Sequence, residues 1–413
     1  MRDLTDFCQG PGVLRLHGGV QHYAWGSTDL IPGLIGEPNA DGKPYAELWL
    51  GAHPELPSKV ELGSGTVGLD RLVAACPGRV LGEAAARRYG ELPYLFKVLS
   101  AAVPLSIQAH PTRAQAEEGF AREEACGIPL SAPHRNYKDT NHKPEALVAL
   151  TEFFALRGFR PLAEIAALPA EVPEFAPLFT EFEPTSAGLQ SLYRRLMTSG
   201  QGVVDAALAP LLERLRREAP SDPRERGYWT LEADRQFSRD GHHDRGLFSL
   251  WLLNLVRLAP GEGIYLPAGN LHAYLRGTGM ELMANSNNVL RGGLTPKHVD
   301  VDELLDVVTF EGGEAEVIRG ERDGVEAVYR TPAEEFELRR IDLPSGGEWH
   351  GGRAHGADIL IVTAADADLT LESGGRLLGL ARGESLFAPA GVSYSLRTGA
   401  PATVFRATAP DGR

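Results

Sequence analysis

A nine-residue pattern occurs twice in the chain and favours a repeated β unit. Residues 261–269 read GEGIYLPAG, and residues 383–391 read GESLFAPAG. Each copy predicts a strand that runs into a Pro-Ala-Gly turn and then into a second strand. Repeats of this kind suggest two related small barrels or jelly rolls, although a chance match or a common hairpin design would produce the same echo.

The composition agrees with a turn-rich β protein of more than one domain. The chain of 413 residues contains 47 glycines and 29 prolines, which is high for a helical protein. Its length allows two or three hydrophobic cores instead of one. We therefore expect a mainly β fold that is divided into domains.

The apolar period becomes helical between residues 159 and 258. Leu189, Leu192 and Leu196 follow helical spacing, and the apolar stretch 246–258 predicts a buried helix. These patterns predict a helical insertion between two β regions.

Strands are predicted on both sides of this insertion. Residues 104–108 and 145–157 are apolar and strand-like, and from about residue 320 onward the chain reads as short strands and turns. A helix is expected over residues 112–124, where Thr112 could act as the N-cap.

Charge and cysteine content narrow the class of function. The formal net charge is −14 and the pI is about 5.4, which argues against nucleic acid or an anionic membrane as the main partner. Cys8, Cys76 and Cys126 contain no CxxC pair and suggest neither a disulfide framework nor a thiolate metal site. The amino terminus lacks an apolar signal region, and no window approaches the roughly 18–20 apolar residues of a membrane span. We expect a soluble cytoplasmic protein.

Three distant stretches offer donor groups for a divalent metal, namely QAHP at 108–111, HKPE at 142–145 and NLH at 270–272. Gln108 and His110 are i and i+2 on a predicted strand, so their side chains share a face. A nitrogen and oxygen donor set suits a metal that polarises a bound oxygen. His272 follows the first Pro-Ala-Gly turn, whereas Tyr394 takes the equivalent place after the second. Only the first barrel is therefore expected to bind metal.

His142 and Glu145 are alternative ligands within the second stretch. Pro144 keeps the preceding residue extended, so Lys143 and Glu145 can share a face while His142 lies opposite. We therefore predict Glu145 as a ligand and Lys143 as a cation in the cleft. Taken alone, the segment could also be a solvated polar loop.

A polar run from residue 281 to residue 298 contains groups that a simple strand core would not need. Glu281 offers a potential base, and Arg291 and Lys297 offer two fixed cations. Ser106 continues the face of Gln108 and could bind a substrate oxygen. A solvated loop is the alternative interpretation of the run.

Several ordered blocks together resemble the type I mannose-6-phosphate isomerases, or phosphomannose isomerases, of the cupin superfamily. The blocks are YAELW at 45–49, LFKVL at 95–99, SIQAHP at 106–111, NHKPE at 141–145, PAGNLHAY at 267–274 and NVLRGGLTPK at 288–297. The resemblance extends from about residue 14 to 310, and the last hundred residues match only in general character. One departure is Asn287, where family members often carry aspartate.

The resemblance implies a mainly β fold with a helical insertion, made of two cupin-type jelly-roll barrels plus an α-helical domain. Residues 1–158 together with 259–320 would form the catalytic zinc-binding jelly roll. Residues 159–258 would form the helical domain, and residues 321–413 a C-terminal metal-free jelly roll.

The resemblance also implies one zinc ion per chain, with the ligands Gln108, His110, Glu145 and His272. Arg291 matches the family's active-site arginine, and the positions similar to those that line its substrate cleft are Ser106, Lys97, Lys143, Tyr274, Glu281 and Lys297. The implied reaction interconverts D-mannose 6-phosphate and D-fructose 6-phosphate through a cis-enediol. Within it, we assign the proton transfer to Glu281 and the stabilisation of developing negative charge to Arg291.

Other functions stay open at this point. Free mannose or another sugar phosphate could be the substrate, or the chain could be a non-catalytic sugar sensor, for which a broken ligand set would be the mark. Non-haem iron oxygenases favour two histidines and one carboxylate, so Gln108 as a fourth ligand argues against that class. We expect a small sugar-phosphate substrate, no nucleic-acid or membrane partner, and a monomer or weak homo-oligomer.

Overall fold

The computed structural model describes residues 4–353 and 356–410, which contain twelve α-helices and two 3-10 helices. The α-helices are α1 (Leu4–Gln9), α2 (Leu30–Ile35), α3 (Leu69–Ala75), α4 (Pro77–Leu81), α5 (Glu83–Tyr89), α6 (Arg113–Ala125), α7 (Leu162–Glu171), α8 (Ser186–Thr198), α9 (Gln201–Glu218), α10 (Arg226–Phe237), α11 (Ser249–Leu252) and α12 (Val301–Val307). The 3-10 helices are Pro173–Leu178 and Arg245–Phe248.

The same residues contain twenty-four strands. The strands of the first half are β1 (Leu14–His17), β2 (Gly19–Gln21), β3 (Glu47–Gly51), β4 (Lys59–Leu62), β5 (Gly65–Gly68), β6 (Tyr94–Ala101), β7 (Gln108–Ala109), β8 (Glu145–Ala149) and β9 (Phe153–Phe159). After the helical region follow β10 (Leu253–Leu258), β11 (Glu262–Leu266), β12 (His272–Ala284), β13 (Leu290–Arg291), β14 (Ile318–Arg319), β15 (Glu321–Asp323) and β16 (Glu326–Tyr329). The last strands are β17 (Glu337–Leu343), β18 (Glu348–Arg353), β19 (Asp358–Ala365), β20 (Leu369–Ser373), β21 (Arg376–Leu380), β22 (Ser385–Ala388), β23 (Ser393–Arg397) and β24 (Ala402–Thr408).

The long strand β12 organises an 11-stranded sheet by changing partners along its length. Its first residues pair with β7 and β9, and its residues from Gly277 onward pair with β6 and β8. The change follows a register shift between Tyr274 and Arg276, and Gly277 has a φ of 133° that favours glycine. The bulge lets side chains from both halves of β12 reach one cavity.

A second, 9-stranded sheet has the order β15-β16-β17-β24-β19-β22-β1-β4-β5, and a four-stranded sheet contains β18, β23, β20 and β21. Strand β1 pairs with β22, with Leu14 opposite Phe387. Alternate residues of β1 are buried, so its leucines join the same hydrophobic core as Phe387. The predicted domain limits stay a prediction, and the pairing shows that β1, β4 and β5 extend a sheet of C-terminal strands.

The repeated nine-residue pattern forms the same local structure in both copies. β11 leads through its turn into β12, and β22 leads through its turn into β23. Gly261 and Gly383 have φ values of 87° and 86°, and Gly269 and Gly391 have values of 75° and 77°. All four require the left-handed region that glycine enters at little cost. The predicted strand–turn–strand repeat is confirmed.

The helical region is confirmed, but one predicted helix within it is wrong. Leu189, Leu192 and Leu196 are buried on α8 as their spacing predicts. Residues 246–258 are not a single helix, because β10 (Leu253–Leu258) pairs along its length with β9. A short, mostly apolar run gives the same signal for a buried helix and for a strand, and here the pairing with β9 decides.

The segment around Thr112 gives one correct and one wrong prediction. Thr112 caps α6 with a capping box, in which its hydroxyl accepts the Gln115 N–H and its N–H binds the Gln115 side chain. Residues 104–107 are not a strand, and only Gln108 and Ala109 join the sheet. Residues 104 and 105 do not form a strand ladder: Pro104 has no N–H to donate, and the Leu105 N–H donates to the carbonyl of Tyr274.

A disulfide joins Cys8 and Cys76, whose Cα atoms are 5.9 Å apart. The expectation that the cysteines form no disulfide framework is therefore wrong for this pair. The two residues are 68 positions apart, and no spacing motif marks them. Among the described residues, no helix is both long enough and apolar enough to cross a membrane.

Candidate metal centre and active-site cavity

Three buried side chains from distant segments of the chain converge at one point. His110 follows β7, Glu145 begins β8 and His272 begins β12. His110 Nε2 lies 3.3 Å from Glu145 Oε1, and His272 Nε2 lies 3.5 Å from Glu145 Oε2. The candidate ligand atoms of the three residues lie within 4.8 Å of one another, which is compact enough for a single ion.

The backbone orients both imidazole rings toward this point. His110 Nδ1 lies 2.7 Å from the carbonyl oxygen of Asn288, and His272 Nδ1 lies 2.8 Å from that of Asn270. Because a carbonyl only accepts, each Nδ1 carries the proton and each Nε2 presents a lone pair.

Three donor atoms of this cluster are left without partners. Both Nε2 atoms and Glu145 Oε2 are buried without a hydrogen-bond partner in the described part of the chain. Buried polar atoms of this kind are costly, and a metal ion that accepts their lone pairs removes the cost. The residues present therefore fit a divalent metal.

Gln108 lies beside this cluster because of the sheet register. It is opposite His272 on β12 and opposite Arg291 on β13. It also lines the same cavity as Glu145. The structure thus brings the four predicted ligand residues together, and their role as ligands stays a proposal.

Lys143, and not His142, lies beside the Glu145 carboxylate. Lys143 Nζ is 2.9 Å from Glu145 Oε1, whereas His142 Nε2 lies 2.7 Å from Glu335 Oε1. Burial would raise the pKa of Glu145, but the Lys143 ammonium and the neighbouring imidazoles hold it well below its ordinary value. Burial, assisted by Lys143, lowers the pKa of His110 to about 4. Both groups therefore have the ionisation state that metal binding needs.

A second cluster of charged side chains, Glu47, Lys97 and Glu281, lies on three neighbouring strands of the sheet. Lys97 on β6 is opposite Trp49 on β3 and opposite Glu281 on β12. Lys97 Nζ lies 3.0 Å from Glu281 Oε2 and 3.5 Å from Glu47 Oε1. The Tyr274 hydroxyl donates to Glu281 Oε1 at 2.9 Å. Both oxygens of Glu281 are therefore fixed by a donor.

Burial and neighbouring charge shift the pKa values of this second group. Burial raises the pKa of Glu281, and Lys97 opposes the increase. Burial alone would lower the pKa of Lys97, but Glu281 and Glu47 raise it above its ordinary value. Burial and the charge of Glu281 raise the pKa of Tyr274 well above its ordinary value, so the phenol keeps its proton.

Both groups contribute to the wall of one cavity of about 740 Å³. The predicted site residues that line it are Ser106, Lys97, Gln108, Lys143, Glu145, Tyr274, Glu281, Arg291 and Lys297. Burial lowers the pKa of Arg291, and burial together with Arg291 lowers that of Lys297. Within residues 4–353 and 356–410, no carboxylate pairs with either of these two cations. They are therefore available to an anionic ligand.

The helical region supplies cavity residues that the sequence patterns missed. They come from the end of α10 and the segment after it, namely Glu232, Arg235, Gln236, Phe237 and Arg239. Gln236 Nε2 also donates to the carbonyl of Pro104 at 3.0 Å, which ties α10 to the loop that carries Ser106. Helical spacing separates a buried from an exposed face, and it carries no signal for a residue outside the buried face that lines a cavity together with distant strands.

A metal-donor cluster held on strands, with a buried carboxylate and unpaired cations in the same cavity, defines a metal-dependent enzyme for a small anionic substrate. Residues 13–162 match the family model described as phosphomannose isomerase type I, catalytic domain. The chain is 41% identical to mannose-6-phosphate isomerase of Escherichia coli (strain K12), a match that covers 92% of this chain and 95% of the relative. It is 33% identical to mannose-6-phosphate isomerase of Homo sapiens, with 96% of this chain and 98% of the relative covered.

Solved structures give the same result. A variant of phosphomannose isomerase from Salmonella typhimurium has a TM-score of 0.89 and 37% identity, and the match covers 97% of this chain and 100% of that one. A zinc-bound mannose 6-phosphate isomerase has a TM-score of 0.88 at the same identity and coverage. The chain belongs to the type I phosphomannose isomerase family. The family and the sheet-rich fold with a helical region, both predicted from the sequence, are confirmed.

Proposed function

We propose that the chain interconverts D-mannose 6-phosphate and D-fructose 6-phosphate by moving a proton between C1 and C2 through a cis-enediol, with one zinc ion per chain. Family membership supports the reaction. The observation that carries it in this chain is the buried cluster of His110, Glu145 and His272, which contains unpartnered donor atoms and whose Glu145 lines the same cavity as Glu281.

Gln108, His110, Glu145 and His272 would hold the zinc ion. When bound, such an ion supplies Lewis acidity that polarises a substrate oxygen. The protein side of this arrangement is already ordered, since backbone carbonyls fix both imidazoles and Lys143 fixes the carboxylate. The cost of arranging these ligands is therefore met by the fold.

Glu281 is the carboxylate that we assign to the proton transfer. Its raised pKa makes it a stronger base than an exposed glutamate, and the hydrogen bonds from Tyr274 and Lys97 hold its oxygens in place. A cis-enediol requires that the proton leave and return on one face, which one fixed carboxylate can do. Arg291, opposite Gln108, would stabilise the negative charge that develops on the substrate oxygens.

The surroundings of the three cavity lysines differ in a way that favours Lys297 for the phosphate. Lys97 is buried between two carboxylates, and Lys143 is paired with Glu145. Lys297 lines the cavity from an exposed position and has no carboxylate partner among the described residues. A phosphate carries two charges at neutral pH and binds best to cations that are not already paired.

A coupled assay that compares mannose 6-phosphate with free mannose tests this proposal. We expect turnover of mannose 6-phosphate that a chelator abolishes and zinc restores, with little turnover of free mannose. Lys297→Met should raise KM for mannose 6-phosphate and leave any turnover of free mannose unchanged. Equal efficiency on the two sugars would contradict the phosphate assignment, and full activity in the chelated protein would contradict the metal assignment. The cytoplasmic location and the monomeric or weakly homo-oligomeric state stay predictions.

A further inference from the structure

Asp244 does not line the active-site cavity, but it binds the backbone of a turn that does. Its Oδ1 accepts hydrogen bonds from the N–H groups of Gly246 at 2.7 Å and Leu294 at 2.9 Å. Its Oδ2 accepts a longer one from the N–H of Thr295 at 3.4 Å. Asp244 belongs to the helical region, and Leu294 lies 50 residues further along the chain. One carboxylate thus fixes two segments that are distant in sequence.

The turn that Asp244 binds has a backbone conformation that is rare for residues with side chains. Gly293 has a φ of 113°, and Leu294, which is not glycine, has a φ of 50°. A leucine keeps such a conformation only where its surroundings impose it. The Leu294 side chain is fully buried in the hydrophobic core of the helical region, and the carboxylate of Asp244 holds its N–H.

The two segments touch through their backbones. A Cβ atom added to Gly246 would lie 2.5 Å from the nitrogen of Leu294, and one added to Gly293 would lie 2.5 Å from the Cα atom of Gly246. Such distances leave no room for a side chain on either residue. The turn is therefore seated directly on the helical region, with the Asp244 carboxylate at the contact.

A chain of hydrogen bonds binds the backbone of Asp244. Its N–H donates to Ser238 Oγ at 3.2 Å, and the Ser238 hydroxyl donates to Asp234 Oδ1 at 2.6 Å. Asp234 also binds His243 Nδ1 and the guanidinium of Arg216, each at 2.7 Å. The backbone of the residue whose carboxylate binds the turn is therefore joined to a connected polar network.

The turn carries cavity cations on both sides. Arg291 lies before it and Lys297 after it, and both line the cavity. On the first side the backbone is held by the residue directly before β7, since the Gly292 N–H donates to the carbonyl of Ile107 at 2.8 Å. The N–H groups of Leu294 and Thr295, which lead to Lys297, are held by Asp244.

We propose that Asp244 is a positioning residue, which fixes the backbone of Leu294 and Thr295 from the helical region and so sets where Lys297 meets the substrate. The inference rests on the proposed function, because the placement matters for turnover only if Lys297 acts on the sugar phosphate. It gives the helical region a part in the reaction.

Amide hydrogen exchange tests the positioning without reference to activity. In Asp244→Ala, exchange at the Leu294 and Thr295 amides should accelerate by about tenfold or more, since hydrogen bonds to a charged acceptor are lost. The Gly292 amide, which is bound to Ile107, should stay protected. Asp244→Asn keeps one acceptor oxygen and should give a smaller increase. Unchanged protection of Leu294 and Thr295 in the alanine variant would overturn the proposal.

Kinetics and metal content show whether the positioning serves the reaction. Asp244→Ala should keep its bound zinc and lose roughly 10- to 100-fold in kcat/KM for mannose 6-phosphate, with KM raised, and Asp244→Asn should recover part of the loss. Thr185→Ala is the matched control, because Thr185 caps α8 in the same region by accepting the Gly188 N–H at 3.0 Å and lines no part of the cavity. It should lower Tm without changing kcat/KM.

Two results would overturn the role of Asp244 in the reaction. One is an equal loss of kcat/KM in the Asp244→Ala and Thr185→Ala variants, and the other is loss of zinc from Asp244→Ala. If the unmodified protein does not isomerise mannose 6-phosphate, the proposed function fails, and the exchange pattern still decides whether Asp244 holds the turn.

Discussion

Replacing Lys97 with methionine would remove the cation that lies between the buried carboxylates of Glu281 and Glu47. The Lys97 side chain is 6% exposed, and its Nζ contacts Glu281 at 3.0 Å and Glu47 at 3.5 Å. Methionine fills much of the same volume, so the change is mainly one of charge. Breaking a buried ion pair by removing one partner costs about 3–5 kcal/mol, because the remaining charge is left uncompensated. We expect a loss of about this size in the free energy of unfolding at pH 8.

The loss should depend on pH with a definite sign. Lys97 lowers the pKa of Glu281, whose pKa burial already raises, so Lys97→Met raises it further. A carboxyl group with a higher pKa in the folded protein than in the unfolded chain destabilises the fold as the pH rises above its unfolded value of about 4.3. At lower pH both states are protonated and the penalty disappears. The destabilisation should therefore be much smaller at pH 5 than at pH 8, and the acid limb of kcat/KM should move to higher pH.

Urea unfolding at pH 5 and pH 8, together with a pH profile of kcat/KM, would measure both effects. Lys297→Met is the control, since Lys297 lines the same cavity from an exposed position, and its removal should change the free energy of unfolding by no more than about 0.5 kcal/mol at either pH. A Lys97→Met variant as stable as the parent at pH 8, or one that loses more stability at pH 5, would refute the reasoning.

Three further changes have expected outcomes. Glu281→Gln should keep its zinc, measured by mass spectrometry of bound metal, and should stop the exchange of solvent tritium into the substrate, whereas retained exchange would assign the base elsewhere. His272→Ala should lose both zinc and isomerase activity, because it removes a ligand whose ring is already oriented by the carbonyl of Asn270, and a variant with full zinc content would remove His272 from the ligand set. Thr112→Ala should lower the free energy of unfolding by about 1 kcal/mol through loss of the α6 cap, with kcat unchanged, and a thermal scan without a shift would contradict this.

The sequence was most informative where a pattern is local. The two Pro-Ala-Gly turns require glycines at fixed offsets, so the repeat was visible before the fold was known. The cap at Thr112 and the buried face of α8 follow from spacing within one turn or one helix. The prediction of one helix over residues 246–258 is wrong because a short, mostly apolar run gives the same signal for a helix and for a strand, and the pairing of β10 with β9 is a contact between distant segments.

Contacts between distant segments limited what could be predicted for the site. Strand alternation placed Gln108 and His110 on one face, and the family resemblance joined them to Glu145 and His272. No local pattern indicated that α10 would reach the cavity, or that Asp244 would bind a turn 50 residues away. Those contacts depend on how the helical region docks against the sheet, and backbone N–H donors leave no trace in the residue types of the turn.

Zinc titration of the metal-free protein tests the central claim most directly. The cluster of His110, Glu145 and His272, completed by Gln108, should bind one ion per chain, because its ligand atoms are close enough for one centre. Isomerase activity on mannose 6-phosphate should therefore rise from near zero in proportion to added zinc and reach a plateau at one zinc per chain. Full activity before any zinc is added, or activity that does not follow the occupancy of this one site, would contradict the account.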